Sequence, residues 1–381
     1  MEKRSKRTLS EELAKIIADA LKKNVFSACS IGYFNAEKDK VDQNIHHFGY
    51  TDRKEGRKVN KATIYDLASL TKPLVTTLSV MALVAKGKLR LEDELGLYFK
   101  EINDEKRKIR LSMLLSHSSG LPAHKPYYMV LAECPQKERN EAIERLICDE
   151  NLVFQPGSNT LYSDLGFILL GRLVEKLTEK SLADFWKDEI AQPMGLQKEL
   201  FFPGQYGLPS EICAVTGKCN WSGKRLCGIV HDDNCRMLGG VAGHAGLFGT
   251  ASGVLSLLGD LLLQYRGVKR HPAYGADILR EFLNKRSGST WTCGFDTPSL
   301  GTSSSGRFFS AMTVGHLGFT GTSFWLDLAR GLSIVLLTNR VLMGDNPAPI
   351  RKLRPLLHDT IMKYLTKNED PSEQNSINRV L

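Results

Sequence analysis

Residues Tyr65–Leu83 read YDLASLTKPLVTTLSVMAL, and one proline in this run decides where its helix starts. Pro73 has no N–H, so the carbonyl of Ser69, four residues back, loses its helical donor; proline is tolerated only near a helix start. Ser69 therefore falls in or beside the first turn, where backbone dipoles converge and an alkoxide or oxyanion is stabilised. Lys72, three residues on, shares its face. Leu67, Ala68, Leu70, Leu74 and Val75 around the pair are uncharged. Burial lowers a lysine's pKa, and a neutral amine within reach can take the serine proton. Asp66 is the one nearby acid and opposes that effect if it faces Lys72. No other serine in the chain has a lysine three residues later. A capping serine beside a lysine that snorkels to solvent fits the same residues.

Strand-like runs lie towards the two ends of the chain. Ala28–Phe34 and Ile45–Tyr50 flank a polar turn, Asn35–Asn44, and read as a hairpin. Met312–Leu317, Ser323–Leu328 and Leu332–Leu337 are separated by Gly318–Gly321 and Ala329–Gly331, tight turns that favour antiparallel pairing. Helical spacing marks Leu13, Ile16, Ile17 and Leu21, with Ser10 as cap, then Leu74–Ala85, Asn140–Cys148, Phe167–Thr178, Val254–Gln264 and about Ile350–Tyr364. The expected class is α+β: terminal strands joined in one antiparallel sheet, flanked by helices, with a mostly helical subdomain inserted. Residues 1–75 and 286–367 are expected to form the discontinuous sheet domain, 76–285 the helical subdomain and 368–381 a flexible tail. A cleft between the two parts is the natural site. The patch GTSSSG at Gly301–Gly306 reads as a flexible loop.

Bulk properties narrow the function. The chain has 381 residues, 42% hydrophobic and 24% charged, the profile of an ordinary soluble globular protein. No apolar run approaches the ~18–20 residues of a membrane helix. The N-terminus starts basic but has no apolar core, so it reads as a surface helix; a cytoplasmic protein with reduced thiols at its eight cysteines is expected. The net charge of +9 is scattered, apart from a cluster at Lys3–Arg7, and no aromatic–basic alternation accompanies it. That describes a solvated basic surface, with neither nucleic acid nor membrane as partner. Cys213, Cys219, Cys227 and Cys235 lie near His231, Asp232 and Asp233 but form no Cys-x-x-Cys pair, so free thiols and no metal are expected. The glycines of Gly239–Gly249 precede no Gly-Lys-Ser/Thr; with His244 they suit a loop packed beside the cleft. No Gly-x-Ser-x-Gly elbow exists, and no cofactor is expected.

Two further segments follow in order: PGSNTLYSDLGFILLG at Pro156–Gly171, with Tyr162-Ser163-Asp164, and VGHLGFTGTSFWLD at Val314–Asp327, with His316-Leu317-Gly318. With Ser69-x-x-Lys72, the chain here resembles the serine β-lactamase and penicillin-binding-protein superfamily. It is most similar to the class C-like branch, which includes DD-peptidases and esterases. That superfamily orders Ser-x-x-Lys, Tyr-x-Asn, then Lys-Thr-Gly or His-x-Gly on a strand. LLSHSSGLP (Leu114–Pro122), VHDDNCRMLGGVAGHAGLFGT (Val230–Thr250) and LLTNR (Leu336–Arg340) extend the resemblance over roughly residues 28–365.

The resemblance implies a β-lactamase/transpeptidase-like fold. It implies Ser69 as nucleophile, Lys72 as base or proton relay, and Tyr162 as the acid/base group that protonates the leaving group. The backbone N–H groups of Ser69 and Phe319 are implied as oxyanion hole. His316 is expected to bind substrate or tune Tyr162, and Gly318 to let the strand backbone approach the substrate. Asp164 stands where the family has asparagine; an acid there pairs with Lys72 and raises its pKa, or holds it in place, which leaves the identity of the resting base open. Leu317 stands where a threonine hydroxyl helps bind a substrate carboxylate, which turns the expectation from penicillins and D-Ala-D-Ala peptides towards an uncharged ester or another amide. The expected function is a serine hydrolase that forms an acyl-enzyme on a small-molecule or peptide-like amide, β-lactam or ester. The alternative is a penicillin-binding or sensor-type module that acylates with little turnover.

Overall fold

Side-chain alternation gives the central sheet two apolar faces. In a computed structural model of the chain, residues 8–366 are described, apart from 38–39, 55, 205–206, 210, 220–221, 286–288 and 300. The sheet strands are β1 (Ala28–Glu37), β2 (Lys40–Gly49), β3 (Thr313–Leu317), β4 (Ser323–Asp327) and β5 (Leu332–Thr338). They pair antiparallel in the order β2-β1-β5-β4-β3. The N-terminal hairpin and the C-terminal meander meet at β1–β5, with Cys29 opposite Thr338 and Asn35 opposite Leu332.

The helices that frame the site are α1 (Leu9–Lys22), α2 (Leu78–Ala85), α3 (Asp164–Thr178), α4 (Ala251–Tyr265) and α5 (Ala348–Leu365). Ile31, Tyr33, Trp325, Ile334 and Leu336 share one core with Leu13 and Ile17 of α1 and Leu357 and Ile361 of α5. Phe34, Phe324, Leu326, Val335 and Leu337 belong to a second core, with Leu258 and Leu261 of α4 and the apolar residues of α2 and α3. Gly259 lies so close to β1 that a Cβ there would come within 2.8 Å of the Phe34 ring. Burial on both faces is why β4 and β5 read as nearly continuous apolar runs.

Three local expectations change. The polar stretch Asn35–Asn44 is mostly strand, because the ladder runs on through Tyr33 opposite Asn44 and Asn35 opposite Asp42. Helix α1 is capped by Thr8, not Ser10: Thr8 accepts the Glu11 N–H and the Glu11 carboxylate accepts the Thr8 N–H, a reciprocal capping box. The Gly301–Gly306 patch is exposed at Gly301 and Thr302 but packed in its second half: Ser305 is fully buried, and the Ser304 carbonyl accepts from His358 Nδ1 at 3.0 Å. The Lys3–Arg7 cluster and the 368–381 tail lie outside the described residues. The run Ala68–Ala85 is long and apolar enough to cross a membrane, but 83% of it is buried inside the fold as a core helix.

The LLTNR segment closes the sheet onto its loops. Asn339, at the end of β5, is 1% exposed. Its Oδ1 accepts the N–H groups of Ser27 (3.1 Å) and Ala28 (2.8 Å), and its Nδ2 donates to Ser27 Oγ and the Val215 carbonyl, both at 2.9 Å. An Asn339→Leu substitution leaves those groups buried and unpaired. It should lower the unfolding free energy by roughly 2–4 kcal/mol, read as a drop in urea midpoint without a change in slope.

Candidate active site

The nucleophile segment is helical but not uniform. It opens with a 3-10 turn, Ala68–Leu70, widens to a π-helix over Lys72–Thr77 and then becomes α2. Pro73 explains the irregularity, since its missing N–H breaks the regular ladder, and π-helical turns recur at functional sites. Trp186 Nε1 donates to the Leu74 carbonyl at 2.8 Å. Ala68 takes a left-handed φ of +49°, a conformation that costs a non-glycine residue on the order of 1–3 kcal/mol. Asp66 holds it there: one carboxylate oxygen accepts the Ala68 N–H and the other the His231 N–H, each at 2.8 Å. So the nearby acid turns away from Lys72, and burial pushes its pKa up to about 6.

Lys72 is fully buried. Its Nζ donates to Ser69 Oγ at 3.1 Å, Asp164 Oδ1 at 2.7 Å and the His244 carbonyl at 3.2 Å. These acceptors, with the Tyr162 hydroxyl also against the Nζ, suit an ammonium, which has three protons to donate and no lone pair. Burial alone would depress its pKa, but Asp164 and the Tyr162 hydroxyl outweigh that and the net shift is upward. Of the two expectations for Lys72, a neutral amine in apolar surroundings and a lysine raised by pairing with Asp164, this contact supports the second. Burial would likewise raise the Asp164 carboxyl, yet Lys72 and His124 hold it well below the usual carboxylate range. His124 Nδ1 lies 3.4 Å from Asp164 Oδ2, and that contact raises the imidazole's pKa.

Tyr162, Ser163 and Asp164 form the entry to α3. Ser163 caps the helix and donates to the Pro122 carbonyl at 2.7 Å. The Asp164 N–H donates to the Ala123 carbonyl and the Leu161 N–H to the His117 carbonyl, each at 2.9 Å. The Leu114–Pro122 segment is thus the backing of the second motif. The Tyr162 hydroxyl interacts with both Lys72 and Ser69, and the Lys72 ammonium stands 4.8 Å from its ring centre. Burial raises the Tyr162 pKa and the Lys72 charge partly offsets this.

Three rings enclose that phenol: His117 at 4.6 Å, Trp291 at 5.6 Å and His316 at 5.9 Å between centroids. His316 lies on the edge strand β3 and is 1% exposed. Its Nδ1 donates to the Leu317 carbonyl at 2.8 Å, which leaves Nε2 as a bare acceptor. Burial, then the Lys72 charge, push its pKa down to about 3, so it is a neutral imidazole beside the phenol. His117 is its complement: Nδ1 accepts the Ser163 N–H at 3.0 Å, so Nε2 carries the proton.

Opposite lies the turn Gly318–Thr322 between β3 and β4. Thr320 Oγ1 donates to the Asp66 carbonyl at 2.8 Å and Thr322 Oγ1 to the Leu67 carbonyl at 3.2 Å. These bonds lock the turn against the nucleophile segment. Gly318 is needed for that approach, because a Cβ would meet Thr322 Oγ1 at 1.9 Å and the Leu67 carbonyl at 2.9 Å. The Phe319 N–H has no acceptor among the described residues, and its ring is exposed at the mouth, 5.6 Å from that of His231. Leu317 packs towards the Trp325 core.

Ser69, Lys72, Tyr162, Asp164, His316 and the Gly318–Phe319 turn therefore converge. His117, His124 and Trp291 carry no role in the sequence reading, and Asp232 enters it only as a neighbour of the cysteine group. His244 was read only as part of a packed loop; its Nε2 also bonds Asp232 Oδ1 at 2.9 Å. Gly243, beside it, would clash at 1.9 Å with the Phe167 carbonyl if it had a Cβ. A weak signal existed for the histidines, since His117, His231 and His244 all lie in the segments of family resemblance.

This sheet, with helices on both faces and a buried lysine against a serine, defines a serine hydrolase with β-lactamase/transpeptidase-like architecture. The chain belongs to the Beta-lactamase family, which matches it over residues 38–354. It is similar to a protein of Escherichia coli strain K12 named "Putative D-alanyl-D-alanine carboxypeptidase", 30% identical over 315 residues, 74% of this chain and 70% of that one. It is also similar to an N-acetylmuramyl-L-alanine amidase of Bacillus subtilis strain 168, 32% identical over 329 residues, 77% of this chain and 73% of the other. A solved class C beta-lactamase shares the fold with TM-score 0.71 at 16% identity, over 92% of this chain and 96% of that one. Enzymes of this family work through an acyl-enzyme.

Proposed function

We propose that the chain hydrolyses an amide or ester through an acyl-enzyme on Ser69, with Lys72 and Tyr162 moving the protons. The observation that carries this is the Lys72 Nζ–Ser69 Oγ contact of 3.1 Å at a fully buried ammonium. The substrate carbonyl enters between Ser69 and the Gly318–Thr322 turn, its oxygen towards the N–H groups of Ser69 and Phe319. Because Lys72 rests charged against Asp164, the reactive form has one proton fewer than the resting pair. That form takes the Ser69 proton as Oγ attacks, and Tyr162 returns a proton to the departing nitrogen or oxygen. Water then cleaves the ester to Ser69 by the reverse relay. Neutral His316 accepts through Nε2 from the phenol or from substrate. The relatives' names favour amides of the cell-wall kind, and the inward packing of Leu317 argues against a substrate carboxylate bound at that position.

Intact-mass labelling with a fluorophosphonate and with a penicillin tests this reading. One adduct should form, on the peptide that contains Ser69, and purified muropeptides or a p-nitrophenyl ester should turn over. An adduct on any other residue, or turnover that survives a fully labelled Ser69, overturns it.

Asp164 makes a separate prediction. Its carboxylate is what raises Lys72, so Asp164→Asn should lower the lysine's pKa. The acid limb of kcat/KM should then move to lower pH by roughly 1–3 units. In a pH–rate profile from pH 6 to 11 the wild type should still be rising at the upper end while the variant levels off within the range, and an unmoved limb would mean that another group titrates.

A further inference from the structure

Arg354 of α5 is 5% exposed, and among the described residues no carboxylate pairs with it. Its Nη2 donates to the Gly318 carbonyl at 2.9 Å and to the Thr322 carbonyl at 2.8 Å, while its Nε has no partner. A buried guanidinium without a counter-ion is costly. Here it is spent on two backbone carbonyls of one turn.

The choice of carbonyl matters. The Gly318 carbonyl and the Phe319 N–H are the two ends of one planar peptide group. A charge-assisted hydrogen bond at the oxygen end draws density from the amide and strengthens the N–H as a donor. It also fixes the plane in which that N–H points. Arg340 does the same on the next peptide: its Nε donates to the Phe319 carbonyl at 2.8 Å and its guanidinium lies 4.6 Å from the Phe319 ring centre. Both peptide groups that flank Phe319 thus carry a guanidinium on their oxygens. The threonine bonds to the Asp66 and Leu67 carbonyls set the distance between this turn and Ser69.

We propose that Arg354 is a positioning residue for the oxyanion hole: its guanidinium on the Gly318 carbonyl orients and polarises the peptide whose N–H, that of Phe319, receives the oxyanion. This rests on Ser69 as nucleophile and Phe319 as oxyanion donor. The positive charge sits one peptide away from the place where negative charge forms in acylation, so its stabilisation grows from ground state to transition state. Arg354 should therefore act on kcat and not on KM.

The experiment compares wild type, Arg354→Met and Arg354→Lys by kcat and KM on a p-nitrophenyl ester and by the Kd of phenylboronic acid. The boronate adds to Ser69 Oγ and places a tetrahedral oxygen at the oxyanion position. Arg354→Met should lower kcat and boronate affinity in parallel, by about 10- to 100-fold, below the loss from deleting a donor outright. KM should stay within about twofold, and the lysine variant should recover part of both losses, because an ammonium can hold one of the two carbonyls. A folded Arg354→Met with wild-type kcat and boronate affinity overturns the proposal, as does a loss confined to KM. Should the methionine variant not fold, the lysine variant decides by the same two readouts. If the wild type forms no boronate adduct on Ser69, it is the underlying reading of the site that fails, whatever the Arg354 variants do.

Discussion

A Lys72→Met variant should acylate Ser69 roughly 10,000-fold more slowly than the wild type, close to the floor set by Ser69→Ala. Methionine fills the volume of the lysine stem, so the loss isolates the ammonium. That group bonds Ser69, Asp164 and the His244 carbonyl at once. Without it the Ser69 proton has no path out and the Tyr162 phenol loses the charge that eases its ionisation. Stability changes too, with a sign that can be worked out. The folded pKa of Asp164 is depressed, so the pairing contributes stability above the unfolded carboxyl value of about 4 and loses it as pH falls through the folded value. At neutral pH the single variant leaves a largely buried carboxylate with His124, at 3.4 Å, and the more distant His244 as its remaining histidine neighbours. Breaking such a pair costs about 3–5 kcal/mol. The Lys72→Met/Asp164→Asn double variant removes both charges and should regain most of that stability without regaining acylation. Single-turnover acylation with a chromogenic ester, beside urea unfolding, separates the two effects. A double variant that regained both would reduce Lys72 to a scaffold.

The sequence and the structure agree where local chemistry decides and part where long-range contacts do. Pro73 placed Ser69 in the first turn of its helix, because a missing N–H acts within four residues. The strands around Gly318–Gly321 were legible because tight turns and period-two alternation are local. The protonation of Lys72 was legible only as one of two alternatives. Its neighbours in sequence are apolar, while Asp164 of the second motif offered a counter-charge, and only the fold brings that carboxylate to 2.7 Å from the ammonium. Asp66 illustrates the same limit. It is adjacent in sequence yet spends its carboxylate on two backbone N–H groups, one from the distant His231 loop. The left-handed backbone at Ala68 had no signal either, since the strain falls on an alanine and not on a glycine. His117 sits in a quoted motif, but only the fold sets its ring 4.6 Å from Tyr162.

Tyr162→Phe should slow amide hydrolysis by roughly 100- to 1,000-fold, and p-nitrophenyl ester hydrolysis by much less. The difference follows from the leaving group. An amine cannot depart without a proton, whereas p-nitrophenolate can, so a group that protonates the leaving atom matters mainly for the first. Phenylalanine keeps the ring between His117, Trp291 and His316, and it keeps the face that the Lys72 ammonium approaches at 4.8 Å. Packing is therefore nearly unchanged, and the melting temperature should stay within a few degrees. The loss is confined to one hydroxyl, the one that interacts with Ser69 and Lys72. Parallel kcat/KM measurements on an anilide and its matching p-nitrophenyl ester read the ratio directly. Equal losses on both substrates would instead make the phenol the base that takes the Ser69 proton, with Lys72 serving to hold its charge. No loss on either would leave Tyr162 a packing residue and move leaving-group protonation to Lys72.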